Sequence, residues 1–162
     1  MSMTLPLRVL ALAANATTVG MVFLNKGELT YWQKSQTAAR GPAAAVRTSG
    51  KWMAQFKPHV VVVEEFRSVR RKSERTKEII AALDEGARRR GFVVVALARP
   101  DGYQNKYQEA AALAECYPIL RPWVPTRRFY DPEPKNVVLF EALAQAKAAE
   151  HNFCLRIAAA LG

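Results

Sequence analysis

Cysteine and histidine are scarce in this chain, at two residues each among 162. Cys116 and Cys154 lack metal-ligand spacing, so zinc is not expected, and reduced thiols fit a cytoplasmic protein. His151 has no close Cys or His partner. His59 stands just before a valine run and reads as a surface or packing residue. No run approaches ~18 apolar residues, the length a membrane-spanning helix needs. GxxxxGK and GxGxxG are absent, and Gly86, Gly91 and Gly102 are isolated, which removes support for a nucleotide-cofactor protein. GxSxG is absent too, and Ser68 and Ser73 have no readable base partner, which weakens a serine hydrolase. No internal repeat or low-complexity tail is visible. The first apolar run reads as a strand, not a signal peptide.

What the chain has in excess is positive charge: 24 basic residues against 14 acidic, a formal +10. That favours a polyanionic partner, nucleic acid first. The charge is concentrated. Arg67, Arg70, Arg71, Lys72, Arg75 and Lys77 lie within one stretch against Glu74 alone. Arg121, Arg127, Arg128 and Lys135 form a second basic region, interleaved with Trp123 and Tyr130. Arg88 to Arg90 close a helical pattern and complement its C-terminus. Tyr103 and Tyr107, beside Lys106, offer rings for stacking on bases. Trp123 serves equally well as the anchor of a folded loop.

The first basic stretch begins directly after an apolar strand that stops on acid. Val60 to Val63 suit a strand buried on both faces, and Glu64 and Glu65 follow. A carboxylate is rarely buried without a partner or a cation. Glu64 is therefore a candidate ligand for metal or substrate, and the bland alternative is a solvated loop start.

The length suits one domain, residues 1–162, with a sizeable core. Strands are expected over 7–14, 19–24 and 28–34, with Asn25-Lys-Gly as a hairpin turn. Pro42 suits the first turn of a helix running to about Phe56. The valine strand follows. Ser73 is a plausible N-cap for the helix 73–90, whose apolar face carries Ile79, Ile80, Leu83 and Ala87. A strand at 92–97, a short helix near 106–115 and an irregular Pro-rich segment at 118–134 come next. Residues 137–160 read as helix, with a break expected near His151 and Asn152. Trp52 and Phe56, one helical turn apart, read as packing residues. Trp32 reads as a core or dimer residue. A hairpin start followed by strand–helix alternation predicts an α/β fold with a mixed sheet.

Within the last helix, Glu141 interrupts apolar and small neighbours. A helix carboxylate facing Glu64 would suit Mg²⁺ or Mn²⁺, which prefer oxygen ligands. The alternative is an exposed position on an amphipathic helix.

Three segments carry a resemblance. Phe56-Lys-Pro-His-Val-Val-Val-Val-Glu64 looks like a helix end, turn and strand leading into a catalytic glutamate. Val9-Leu-Ala-Leu-Ala-Ala-Asn-Ala-Thr-Thr-Val-Gly20 looks like a first strand and hairpin. Glu141-Ala-Leu-Ala-Gln-Ala looks like a final acid before a small-residue helix. Together they resemble the RuvC-like Holliday junction resolvases of the ribonuclease H-like superfamily, over residues 8 to 150 in element order. The resemblance implies a mixed sheet of five strands flanked by helices. It implies Glu64 and Glu141 as catalytic and metal-binding residues, and a homodimer formed through helix 73–90.

Two departures stand out. The family pattern places Asp-Pro-Gly after the first strand, where this chain has Ala13, Ala14 and Asn15. It also places an acid three residues before the final one, where this chain has Val138. In the superfamily the acids hold two ions, one activating water and the other stabilising the leaving oxyanion. The position of Ala13 normally bridges them. Asn15, Glu65, Asp131 and Glu133 are the candidate replacements.

Three functions follow as expectations. The first is a nucleic-acid-binding RuvC-like protein, recognising branched or structured DNA, with RNA as the alternative partner, and with an incomplete acidic site. The second is a divalent-metal-dependent endonuclease using Glu64 and Glu141 with Mg²⁺ or Mn²⁺. The third is a non-catalytic structural subunit of a larger assembly.

Overall fold

A central sheet of five strands, in the order β3-β2-β1-β4-β5, carries helices on both faces. The computed structural model describes residues 7–65, 72–97, 106–125 and 136–161, without the side chains of 106 and 152–161. The strands are β1 (Arg8–Ala14), β2 (Val19–Asn25), β3 (Glu28–Ser35), β4 (Val60–Glu64) and β5 (Val93–Leu97). The first three form an antiparallel meander, and β4 and β5 add in parallel beside β1. The helices are α1 (Pro42–Phe56), α2 (Glu74–Arg89), α3 (Lys106–Cys116) and α4 (Val137–Leu161). A 3₁₀ turn, Ala38–Arg40, precedes α1, and another, Pro118–Trp123, lies between α3 and α4. Among the described residues no helix is long and apolar enough to cross a membrane.

The local signals explain these elements. Lys26 and Gly27 both have positive φ, the requirement of a tight two-residue hairpin turn between β2 and β3. Pro42 opens α1, and Lys57 closes it in the left-handed region with its N–H on Met53 O. The Ser73 hydroxyl accepts from Thr76 N at 3.2 Å, capping α2. Gly91, at φ 86°, follows the end of α2 in the conformation glycine favours.

Strand alternation then sorts the core into two layers. Val9, Ala11 and Ala13 of β1, with Val60 and Val62 of β4, pack under α3 and α4. Leu10, Leu12 and Ala14, with Val61 and Val63, pack under α1 and α2. The valine run is apolar on both faces because both are covered. Each buried valine contributes about 1.5 kcal/mol or more relative to exposure.

One expectation changes. The last helix is continuous through His151 and Asn152. Neither residue is a strong breaker, and the alanines around them favour helix. In α2, Ile79, Ile80, Leu83 and Ala87 are all buried in the layer beneath the sheet. These apolar residues are therefore packed within the chain.

Candidate functional site

Glu64 is the last residue of β4. It shares a strand face with Val60 and Val62, which directs it toward α4. Glu141 comes from α4 itself. The two carboxylates do meet, and a lysine stands between them. Lys72, just before the Ser73 cap of α2, donates to Glu64 Oε1 at 2.8 Å and to Glu141 Oε2 at 2.8 Å. It also donates to the carbonyl of Ala14, the last residue of β1, at 2.7 Å. An ammonium has three N–H donors, and here each has an acceptor.

The cluster is largely buried. Glu64 and Glu141 are 7% and 8% exposed, and Lys72 is 20% exposed. Burial pushes the Glu64 carboxyl above the usual range; Lys72 pulls it down and the Glu141 charge adds to the rise. Burial works against the charged form of Lys72, but Glu141 and Glu64 outweigh it and hold its pKa above the usual lysine range. The lysine is therefore a fixed cation beside two carboxyl groups, one of which binds its proton more tightly than usual.

The neighbouring ground is apolar. Ala13 pairs with Gly20 across β1 and β2. A β-carbon placed on Gly20 would lie 2.7 Å from Val138 Cγ2 and 2.9 Å from the Val138 backbone carbon. Gly20 thus admits α4 to near contact with the sheet, and Ala13 and Val138 belong to one buried cluster. Asn15 is committed to the β1–β2 turn, where its Oδ1 accepts from Thr17 N at 3.0 Å and Thr18 N at 2.9 Å.

Solved structures with the same architecture include two Holliday junction resolvases. Thermus thermophilus RuvC, in complex with Holliday junction substrate, is 19% identical with a TM-score of 0.58, covering 93% of this chain and 96% of that one. The fowlpox virus Holliday junction resolvase is 12% identical with a TM-score of 0.59, covering 90% of this chain and 99% of that one. The chain has a RuvC-like, ribonuclease H-like fold. No protein-family model and no curated protein matches its sequence.

On the RuvC-like fold, the departures read from sequence acquire a physical form. Ala13 and Val138 are buried in one packed apolar cluster, and neither side chain can ligate a cation. Among the described residues no group of three or more His, Cys, Asp or Glu side chains is placed to hold a metal ion. An octahedral Mg²⁺ needs several oxygen ligands around a small cation. Here two carboxylates face an ammonium within hydrogen-bond distance of both. This donor set does not fit a pair of divalent ions. Asp131 and Glu133, two of the proposed replacement ligands, lie outside the described residues. Glu65 continues past β4, with its N–H on Leu97 O at 2.8 Å.

The basic residues divide sharply. Lys72, expected on the phosphate-binding face, is engaged inside the fold. Arg75 donates to the carbonyls of Arg40 at 2.7 Å and Ala39 at 3.4 Å. Lys77 pairs with Glu74 at 3.3 Å, and Arg121 with Glu115 at 3.8 Å. Arg67, Arg70, Arg71, Arg127, Arg128 and Lys135 lie outside the described residues, as do Tyr103 and Tyr130. Trp123 packs edge-on against Trp32, with ring centroids 5.4 Å apart, which favours the folded-loop role. His59 accepts from Arg8 N through Nδ1 at 2.9 Å, a structural use between chain segments.

The residue that sequence reasoning placed elsewhere is thus Lys72. It was visible only as one cation in a run of them. The turn before α2 selects it, because Ser73 must cap the helix and the preceding side chain is aimed back at β1 and β4.

Proposed function

We propose that this chain is a nucleic-acid-binding protein on a RuvC-like fold, directed at branched or structured DNA, in which the ancestral metal-dependent cleavage centre has been replaced by a lysine-bridged acid pair. The observation that carries the reading is the placement of Lys72 between Glu64 and Glu141, at 2.8 Å from each. The ammonium supplies the positive charge that the two carboxylates require for burial. It needs no exchangeable ion to do so. The resolvase-like architecture and the +10 charge support the nucleic-acid partner. Homodimerisation belongs to the same proposal. Its interface would use a surface other than the buried apolar residues of α2.

A second reading has one observation in its favour: Glu64 and Glu141 do converge. A divalent-metal endonuclease would have to displace Lys72 to use them. One experiment separates the two. Purified wild-type and Glu64→Gln protein are incubated with labelled four-way junction, forked and linear DNA, in Mn²⁺ and in EDTA, and binding and strand scission are measured together. The first reading expects junction binding in both conditions without scission. Mn²⁺-dependent scission by wild type, lost in Glu64→Gln, would establish the second. Failure to bind any DNA at low salt would reject the nucleic-acid partner.

A further inference from the structure

A cationic notch of about 340 Å³ lies where the β1–β2 turn, the 3₁₀ turn before α1 and the start of α2 meet. Its walls include Thr17 from the β1–β2 turn, Gln36 and Arg40 from the stretch between β3 and α1, and Arg75 from the first turn of α2. Among the described residues, no carboxylate lines it.

The notch is built from fixed parts. Thr17 is held by Asn15 Oδ1, which accepts from its N–H at 3.0 Å and from its hydroxyl at 3.4 Å. Arg75 is held from behind by the carbonyls of Arg40 at 2.7 Å and Ala39 at 3.4 Å. A guanidinium carries five N–H donors in a planar fork, so two carbonyls do not exhaust it. The side chains of Arg40 and Gln36 are exposed at the rim. Two guanidinium groups and an amide with no opposing acid form a donor set suited to a phosphate oxyanion. Along the chain, Ala14, the lysine's backbone acceptor, sits three residues before Thr17, and Lys72 sits three residues before Arg75.

We propose that this notch holds a backbone phosphate of the bound nucleic acid, with Arg40 and Arg75 as its ligands and Gln36 as an auxiliary donor. The inference rests on the nucleic-acid-binding reading above. It places a phosphate on a lining that, among the described residues, includes no carboxylate.

Arg40 is the residue to change, because its side chain is exposed whereas Arg75 also ties α2 to the 3₁₀ turn. Arg40→Ala is compared with Lys51→Ala, which removes the same charge from an exposed site roughly three helical turns along the chain. Affinity for a four-way junction is measured across a salt series. The proposal expects Arg40→Ala to weaken binding several-fold more than Lys51→Ala, and to lower the slope of log affinity against log salt by about 1. Gln36→Ala should weaken binding with the slope kept. If wild type binds and Arg40→Ala matches Lys51→Ala in both affinity and slope, the notch is not a phosphate site while the wider reading stands. If wild type binds no nucleic acid, both fall together.

Discussion

Lys72 donates to Glu64 at 2.8 Å, and the same nitrogen donates to Glu141 at 2.8 Å. One side chain from a loop therefore joins the end of a central strand to the helix that covers it. Removing it leaves two carboxylates, each under a tenth exposed, facing one another without a cation. Lys72→Ala should destabilise the fold by about 3 kcal/mol or more. Adding Glu64→Gln to that variant should recover part of the loss, because one of the two charges disappears. Urea unfolding of the two single variants and the double variant measures this coupling. Strict additivity would mean that Lys72 and Glu64 do not act together.

The cluster also predicts a pH dependence. The Glu64 pKa is raised, so the native state keeps a proton that the unfolded chain releases. Stability therefore falls as pH climbs from the ordinary carboxylate range through the raised value. The Lys72 pKa is raised as well, and its contribution is full below the ordinary lysine range and lost as pH passes its folded value. The difference in unfolding free energy between wild type and Glu64→Gln should shrink with rising pH across the first window. A difference that stays flat there would contradict the assignment.

Gly20→Ala tests the apolar half of the site. Gly20 has no positive φ, so backbone effects alone would favour alanine by about 0.4–1 kcal/mol. The new β-carbon would meet Val138 Cγ2 at 2.7 Å and its backbone carbon at 2.9 Å. Backbone cannot swing aside as a flexible side-chain tip can. Overpacking should win, with a net loss of about 1–3 kcal/mol by thermal or urea melting. Val138→Ala in the same chain should relieve it only in part.

Trp123 separates stability from binding. Its ring stands edge-on to Trp32, and its carbonyl accepts from Asn136 Nδ2 at 3.1 Å. Aromatic pairs of this geometry contribute about 0.5–1.5 kcal/mol beyond area burial. Trp123→Ala should lower the melting temperature and leave DNA affinity at saturating folded fraction unchanged. A large loss of affinity in a fully folded variant would return Trp123 to the nucleic-acid face.

Much of this fold is legible in the chain. The valine run ending at Glu64, the Lys26-Gly27 turn, Pro42, the Ser73 cap and Gly91 each state a local preference that the packing keeps. The break expected at His151 fails because weakly unfavourable residues do not interrupt a helix rich in alanine. The acid pair was readable as two interruptions of apolar patterns. The lysine was not. Six cations lie between Arg67 and Lys77, and a one-dimensional pattern gives none of them precedence. Its selection depends on Lys72, just before α2, reaching the end of β1 in the folded chain. The Arg40–Arg75 notch was hidden for the same reason, since its donors come from separate segments that meet only after folding.

The central claim is that Lys72 stands in for a divalent cation. Thermal melting of wild type and Lys72→Ala, each in EDTA and in Mn²⁺, tests it without reference to any substrate. Wild type should melt at the same temperature in both conditions, because its carboxylates are already neutralised from within. Lys72→Ala should melt lower in EDTA and gain several degrees in Mn²⁺, since a ligand that binds only the folded state stabilises it. A wild-type melting temperature that rises with Mn²⁺, and stops rising in Glu64→Gln, would show that the acid pair takes a metal with the lysine in place and would contradict the account.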